Sequence, residues 1–335
     1  MMQALRLTAW GREPELVEVP VPEPGPGELL LRVDAAGLCH SDLHVMDSVG
    51  ALPYDLPFTL GHEVAGTVVA LGDGVSTGWL DEQVAVHGVW SCGECRRCVE
   101  GRENYCLRLT GPIGCGLGHD GGLAEFVLIP SERFLVKGEG VKPEQLAPLT
   151  DAGLSAYHAV HENLDAVAGG GTALVVGIGG LGHLAIQVLG ALSTATVVAV
   201  DPRESAQALA REHGADVVLS GLEQLDTNID LALDFVGSDV TLATSAQLLA
   251  TGGRLVVVGS AGGSLDASKH GVLPRGWRVS APFWGARSDL EAVVELAAGG
   301  ALVAETETGS LAEAPELYRR LRRGEVRGRA VVVPH

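Results

Sequence analysis

The chain has 335 residues, enough for two domains with a core each. Its residues are 46% hydrophobic but only 4% aromatic, with 46 glycines, a composition suited to an α/β protein built on small aliphatic side chains and tight turns. The formal charge of −19 argues against nucleic acid or anionic membrane as a partner, since both recruit clustered Lys and Arg. No apolar run approaches the roughly 20 residues that span a bilayer, and Met1–Arg6 lacks the long apolar stretch of a secretory signal. A cytoplasmic protein is expected, in which clustered cysteines serve as metal ligands rather than disulfides.

Residues 1–150 read as short strands broken by Pro and Gly. Leu29–Val33 follows a Pro-Gly-rich stretch (20–27), and Gly66–Ala70 precedes Gly72-Asp73-Gly74, a rhythm that predicts a mainly antiparallel β domain. Two short segments there are rich in metal-binding side chains: Gly37-Leu38-Cys39-His40-Ser41-Asp42-Leu43-His44 and Leu60-Gly61-His62-Glu63. A thiolate and an imidazole are good zinc ligands, and a catalytic zinc takes three protein ligands and keeps one position open. Cys92, Cys95, Cys98 and Cys106 then follow as C-x2-C-x2-C-x7-C, four thiolates that can close a tetrahedron around zinc with no position left for chemistry. Redox and iron–sulfur chemistry are the other uses of such a knot.

Near Asp151 the rhythm changes to strands alternating with helical stretches. Thr172–Val176, Thr196–Val200, Asp216–Leu219, Ile229–Val236, Leu255–Val258 and Arg278–Ala281 are predicted strands, mostly continuous apolar runs as in a parallel sheet covered on both faces. The first runs into Gly177-Ile178-Gly179-Gly180-Leu181-Gly182, and an apolar helix is predicted over His183–Leu192. In this G-x-G-x-x-G turn the first glycine permits the tight bend, the second lets backbone approach a pyrophosphate, and the third lets helix pack on strand. The helix N-terminus presents free N–H groups to the phosphates. Asp201, at the end of the second strand, is placed to accept hydrogen bonds from an adenosine ribose and to repel a 2′-phosphate, which favours NAD; Arg203, two residues on, is positioned to greet such a phosphate instead. The ends of later strands, Phe235, Val258 and Gly259, are predicted to border the nicotinamide. A helix over Ala312–Arg323 and a strand over Ala330–Val333 close the chain.

With these motifs in this order, the chain resembles the zinc-dependent medium-chain alcohol dehydrogenases, in particular their bacterial NAD-linked secondary-alcohol branch. The resemblance implies an α/β fold: a mainly β, GroES-like catalytic domain (1–151 and 284–335) wrapped around a doubly wound Rossmann domain (152–283), with the site in the cleft between them. It implies two zincs per subunit. Cys39, His62 and Asp151 would bind the catalytic one, Asp151 standing where many relatives carry cysteine and Glu63 being an alternative ligand. Cys92, Cys95, Cys98 and Cys106 would bind the structural one. Asp42 would hydrogen-bond His62 and fix its tautomer. An alkoxide would form at the zinc, its proton passing through Ser41 and the nicotinamide ribose to His44, before hydride moves to NAD. Simpler roles are a helix cap for Asp42, a surface position for His44 and a buried, backbone-bonded carboxylate for Glu63.

The same resemblance implies a substrate wall of Tyr54, Trp90, Leu117, Phe283 and Trp284, suited to a hydrophobic alcohol or ketone, with core packing as the alternative for each. Gly180 and Leu181 would join the other turn residues in holding the cofactor, and Arg327 would reach its pyrophosphate. His40 reads as a polar neighbour of the metal loop and Cys115 as an inert loop thiol, while no partner for His87, His119 or His158 follows from the sequence. A homodimer or homotetramer is expected. The rival readings are a zinc-free quinone or enoyl reductase of the same superfamily, which needs neither Cys39 with His62 nor the knot, and a dinucleotide-binding redox sensor without turnover.

Overall fold

A computed structural model describes residues 1–48, 52–226, 228–267 and 273–335. The chain folds as two compact units. The first comprises Met1–Asp151, Ala286–Gly299 and Ala304–His335, and the second Ala152–Gly285 with Gly300–Val303.

The first unit is organised around strand Leu29–Leu38, whose Leu29, Leu31, Val33 and Ala35 are fully buried. It pairs antiparallel with Glu63–Leu71, Phe126–Ile129 and Arg329–Val332, and the last of these pairs parallel with Thr306–Gly309. Strands Gln83–Val86 and Leu135–Lys137 extend the sheet beyond Glu63–Leu71. Both central strands are longer than their apolar runs suggest. Asp34 reads as a breaker, but in the sheet its carboxylate accepts from Thr67 Oγ1 at 2.6 Å across the ladder and from Arg32 Nε at 2.9 Å, so it is tolerated. Helix Arg287–Ala298 was not anticipated, although Leu290, Val293 and Val294 lie on one helical face and are buried.

The second unit holds a sheet whose described strands are all parallel, in the order Val217–Leu219, Thr196–Val200, Thr172–Val176, Ile229–Asp234, Leu249–Val257 and Arg278–Ser280. Chain order reverses between the third and fourth of these, the crevice where doubly wound sheets take their ligands. Leu174, Val176, Val198, Val200, Ala232 and Leu255 form the sheet's core with Leu242 and Ala246 of helix Asp239–Leu248. The fifth strand starts six residues before the expected Leu255, because the chain bulges through Gly252 (φ +82) and re-enters the ladder in a shifted register. No helix among the described residues is long and apolar enough to cross a membrane.

Candidate active site

Three segments of the first unit bring four ligand residues together. Cys39 follows strand Leu29–Leu38 and precedes helix His40–Asp47; His62 and Glu63 stand at the head of strand Glu63–Leu71. Asp151 comes from a single π-helical turn, Leu149–Gly153, a local widening of helix geometry often found at functional sites. Thr150 in that turn accepts the Val64 N–H at 3.2 Å and donates to Ala147 O at 2.8 Å, which ties the turn to the strand carrying His62 and Glu63.

Ligand atoms of Cys39, His62, Glu63 and Asp151 all lie within 4.8 Å of one another, and all four residues are buried. Cys39 Sγ and His62 Nε2 are each 3.4 Å from Asp151 Oδ2. A tetrahedral zinc with ordinary bond lengths has sulfur–oxygen and nitrogen–oxygen edges of about 3.6 and 3.4 Å, so the residues fit the ion. One thiolate and one carboxylate also balance its charge. Burial pushes the His62 imidazole down, yet Asp42, Asp151 and Cys39 together lift it well above the ordinary range, as expected where acceptors surround a place meant for a cation.

The surroundings are equally specific. Asp42 Oδ1 lies 2.9 Å from His62 Nδ1, leaving Nε2 to face Asp151. Asp42 Oδ2 also accepts the Cys39 N–H at 3.0 Å, so the same carboxylate caps its own helix and orients the histidine. Glu63 turns Oε1 onto the buried Arg329 guanidinium, which is 3.9 Å from Asp151 Oδ2, while Glu63 Oε2 has no hydrogen-bond partner among the described residues. Ser41 and His44 are exposed one helical turn apart, and the Ser41 hydroxyl is 3.5 Å from Cys39 Sγ.

Of the residues expected to wall a substrate, Tyr54 is close enough to His62 for the two to interact electrostatically; burial nonetheless raises its phenol. Leu117 is buried. Trp90 packs on His119 and Phe134, with ring centroids 5.0 and 6.2 Å away, and lines a cavity of about 940 Å³. That cavity is bordered by Cys92, Gly93 and Arg133 and by none of the four clustered residues. In the second unit Phe283 is partly exposed and Trp284 buried, with the Trp284 backbone at φ +55, rare for so bulky a residue.

The second cluster is the cysteine knot. Cys95 Sγ lies 3.4 Å from Cys98 Sγ and 3.9 Å from Cys106 Sγ, and Cys92 Sγ is 3.9 Å from Cys98 Sγ. A regular zinc–thiolate tetrahedron has edges of about 3.8 Å, whereas a disulfide would need about 2.05 Å. Backbone N–H groups of Cys92, Cys95, Leu107 and Arg108 point at three of the sulfurs from 3.3 to 3.4 Å, a cage built for negative charge. Those of Cys98 and Leu107 draw the Cys95 thiol down to about 6. Cys115 stays outside both clusters, its thiol pushed up to about 12 by burial.

In the second unit the glycine turn has the geometry its pattern predicts. Gly177 has φ +87, a Cβ on Gly182 would stand 2.1 Å from Gly177 O, and one on Gly179 would meet nothing within 4 Å. Backbone at Gly179 is therefore open to an approaching group, while Gly182 is where helix Gly182–Leu192 presses on the strand. Gly180 and Leu181 complete the turn, Leu181 as the helix N-cap. Asp201 accepts the Ile178 N–H at 2.9 Å, which joins the turn to the second strand. Arg203 turns back onto Asp201. Its Nε and Nη2 bind the Asp201 carboxylate at 3.0 and 2.9 Å, because a nearly buried carboxylate two residues away is its strongest available partner. Phe235 and Gly259 meet through Asp234, whose carbonyl accepts the Val258 and Gly259 N–H groups and whose carboxylate holds Val236 and Gly237. Arg327 faces Glu305 at 3.4 Å; the arginine beside the four clustered residues is Arg329.

Sequence reasoning missed Arg329, Tyr318, Thr150 and Asp234. Arg329 left a signal, a lone charge heading the apolar Ala330–Val333. Tyr318, whose hydroxyl donates to Asp42 Oδ2 at 2.8 Å, left no such signal, since its partner lies 276 positions away.

Comparison with known proteins gives the same picture over the whole chain. Residues 25–140 match the family model described as alcohol dehydrogenase GroES-like domain, and residues 180–299 the model described as zinc-binding dehydrogenase. The chain is 33% identical to an NAD-dependent alcohol dehydrogenase of Sulfolobus acidocaldarius, with 99% of each chain covered. Among solved structures it is similar to the alcohol dehydrogenase of Aeropyrum pernix, at TM-score 0.91 and 34% identity over 99% of this chain and 100% of that one. It is also similar to acetophenone reductase from Geotrichum candidum in complex with NAD, at TM-score 0.89 and 34% identity over 99% and 97%.

Proposed function

The chain belongs to the zinc-dependent medium-chain alcohol dehydrogenase family, and from that premise we propose that it oxidises secondary, hydrophobic alcohols to ketones with NAD, accepting primary alcohols as weaker substrates. The coarser activity, zinc-dependent and NAD-linked interconversion of alcohols with carbonyl compounds, goes with that membership. What carries the reading is the convergence of Cys39 Sγ and His62 Nε2 on Asp151 Oδ2 at 3.4 Å each, with the Ser41 hydroxyl 3.5 Å from the same sulfur. The preference for hydrophobic ketones is supported by the likeness to a protein named for reducing acetophenone, an aryl ketone.

In this reading Cys39, His62 and Asp151 hold a catalytic zinc and the four-cysteine knot a structural one. Bound zinc supplies Lewis acidity, which lowers the pKa of an alcohol hydroxyl. Asp42 holds His62 in the tautomer that leaves Nε2 free to ligate. Ser41 takes the alcohol proton at its hydroxyl oxygen, and His44, on the same exposed helix face, delivers it to water. Glu63, held by Arg329, stands behind the ligands with one carboxylate oxygen that has no hydrogen-bond partner among the described residues. Tyr54 and Leu117 offer apolar surface to the substrate. The glycine turn receives the pyrophosphate of NAD, and Asp201 reads the ribose once Arg203, itself half-exposed, yields part of its contact. The protein works as a homodimer or homotetramer.

A panel of alkyl and aryl secondary alcohols and matched primary alcohols, followed by NADH absorbance in protein of known zinc content, tests this. Higher kcat/KM for the secondary members is expected. Zinc-loaded protein with no turnover on any alcohol or ketone would sink the proposal.

A further inference from the structure

Resting on the reading that Cys39, His62 and Asp151 hold the catalytic zinc, we propose that Tyr318 is a positioning residue for that metal. Its phenol pins the carboxylate that orients His62, and so couples the C-terminal helix to zinc affinity. Tyr318 lies on helix Ala314–Arg322 and is 3% exposed. Its Oη donates to Asp42 Oδ2 at 2.8 Å, across 276 positions of sequence. That oxygen also accepts the Cys39 N–H at 3.0 Å, and Asp42 Oδ1 faces His62 Nδ1 at 2.9 Å.

Asp42 is fully buried, so these groups set the orientation of its carboxylate. Two of them belong to metal-ligand residues; the third is Tyr318. Removing it leaves Oδ2 with the Cys39 N–H alone and lets the carboxylate rotate about its terminal torsion, which loosens the His62 ring. The helix is itself anchored to the segment it serves. Arg322 forks onto Asp47 at 2.6 and 3.0 Å, joining the helix to His40–Asp47, while Leu317 and Leu321 bury its apolar face. A phenol so placed does more than fill space, since a buried tyrosine hydroxyl needs a partner and this one has a carboxylate.

The test is Tyr318→Phe in the full chain, which keeps the ring and deletes the hydroxyl. Zinc affinity at the catalytic site is read by competition with a chromophoric chelator, and the ligand field from the absorption bands after cobalt replaces that zinc. Partners that orient metal ligands contribute about 10–100-fold to metal affinity. Tyr318 is one bond further out, so a loss of about tenfold is expected, with shifted cobalt bands and an unchanged cysteine-knot zinc. In an Asp42→Asn background the same substitution should add less than about twofold, because the coupling runs through that carboxylate. Equal affinity and spectra in Tyr318→Phe and the parent would overturn the proposal, as would an equal loss in both backgrounds, the behaviour of a residue that only packs. A parent protein holding zinc at the knot alone would overturn the reading of the site itself, and the proposal with it.

Discussion

Gly37→Ala tests how tightly the Glu63 carboxylate, beside the proposed metal ligands, is fixed. Gly37 and Glu63 face each other across the antiparallel strands Leu29–Leu38 and Glu63–Leu71. A methyl at Gly37 would stand 1.8 Å from Glu63 Oε2, 2.8 Å from Cδ and 2.9 Å from Cβ. Rotating the carboxylate about the Cγ–Cδ bond relieves only the first contact, since Cδ and Cβ stay in place, so Glu63 must give up its place or the strands must part. Glu63 is fully buried and paired with Arg329, itself 3% exposed. Breaking such a pair while keeping both charges buried costs about 3–5 kcal/mol, more than the roughly 1–3 kcal/mol of simple overpacking. For a folding unit of this size each kcal/mol moves the thermal midpoint by about 2–4 °C, which gives a fall of roughly 6–20 °C. Scanning calorimetry with zinc analysis on the same sample reads the result, and zinc should also be lost because His62 adjoins Glu63. A midpoint within about 2 °C of the parent with full zinc content would refute the reasoning.

Gly179→Ala should leave the thermal midpoint nearly unchanged, since a Cβ there meets nothing within 4 Å. NADH affinity should nonetheless fall by about tenfold if backbone at this point closes on a pyrophosphate; an unaltered fluorescence titration would show that it does not. Cys106→Ser removes one corner of the sulfur tetrahedron, so metal analysis should find one zinc fewer per chain and calorimetry a loss of at least about 2 kcal/mol. The kcat of the remaining catalytic site should stay close to the parent value, and retention of both zincs with an unshifted midpoint would count against a structural role for the knot.

How much was legible in advance differs from element to element. The cysteine knot could be read because its ligands come from one short loop, where spacing alone restricts geometry. The glycine turn could be read for a similar reason, being a local contact of strand, bend and helix. Strand Thr172–Val176 was found at its observed bounds because a strand buried on both faces must be apolar throughout. Leu29–Leu38 was truncated because Asp34 and Gly37 look like breakers until their cross-strand partners, Thr67 and Glu63, are known.

Local chemistry along the chain thus already contained the two-domain α/β plan, a four-cysteine cluster that could hold a metal, and a glycine turn of the dinucleotide-binding pattern. It also placed Cys39, His62 and Asp151 on one ligand set through a family likeness, not through spacing, since 112 positions separate Cys39 from Asp151. Folding supplied what no spacing rule encodes: the π-helical turn that presents Asp151, Arg329 against Glu63, and Tyr318 on Asp42. Each depends on which buried charge or hydroxyl finds which partner. A buried polar group must be satisfied by whatever the fold brings within about 3 Å, and that neighbour is chosen by packing across strands and helices distant in sequence.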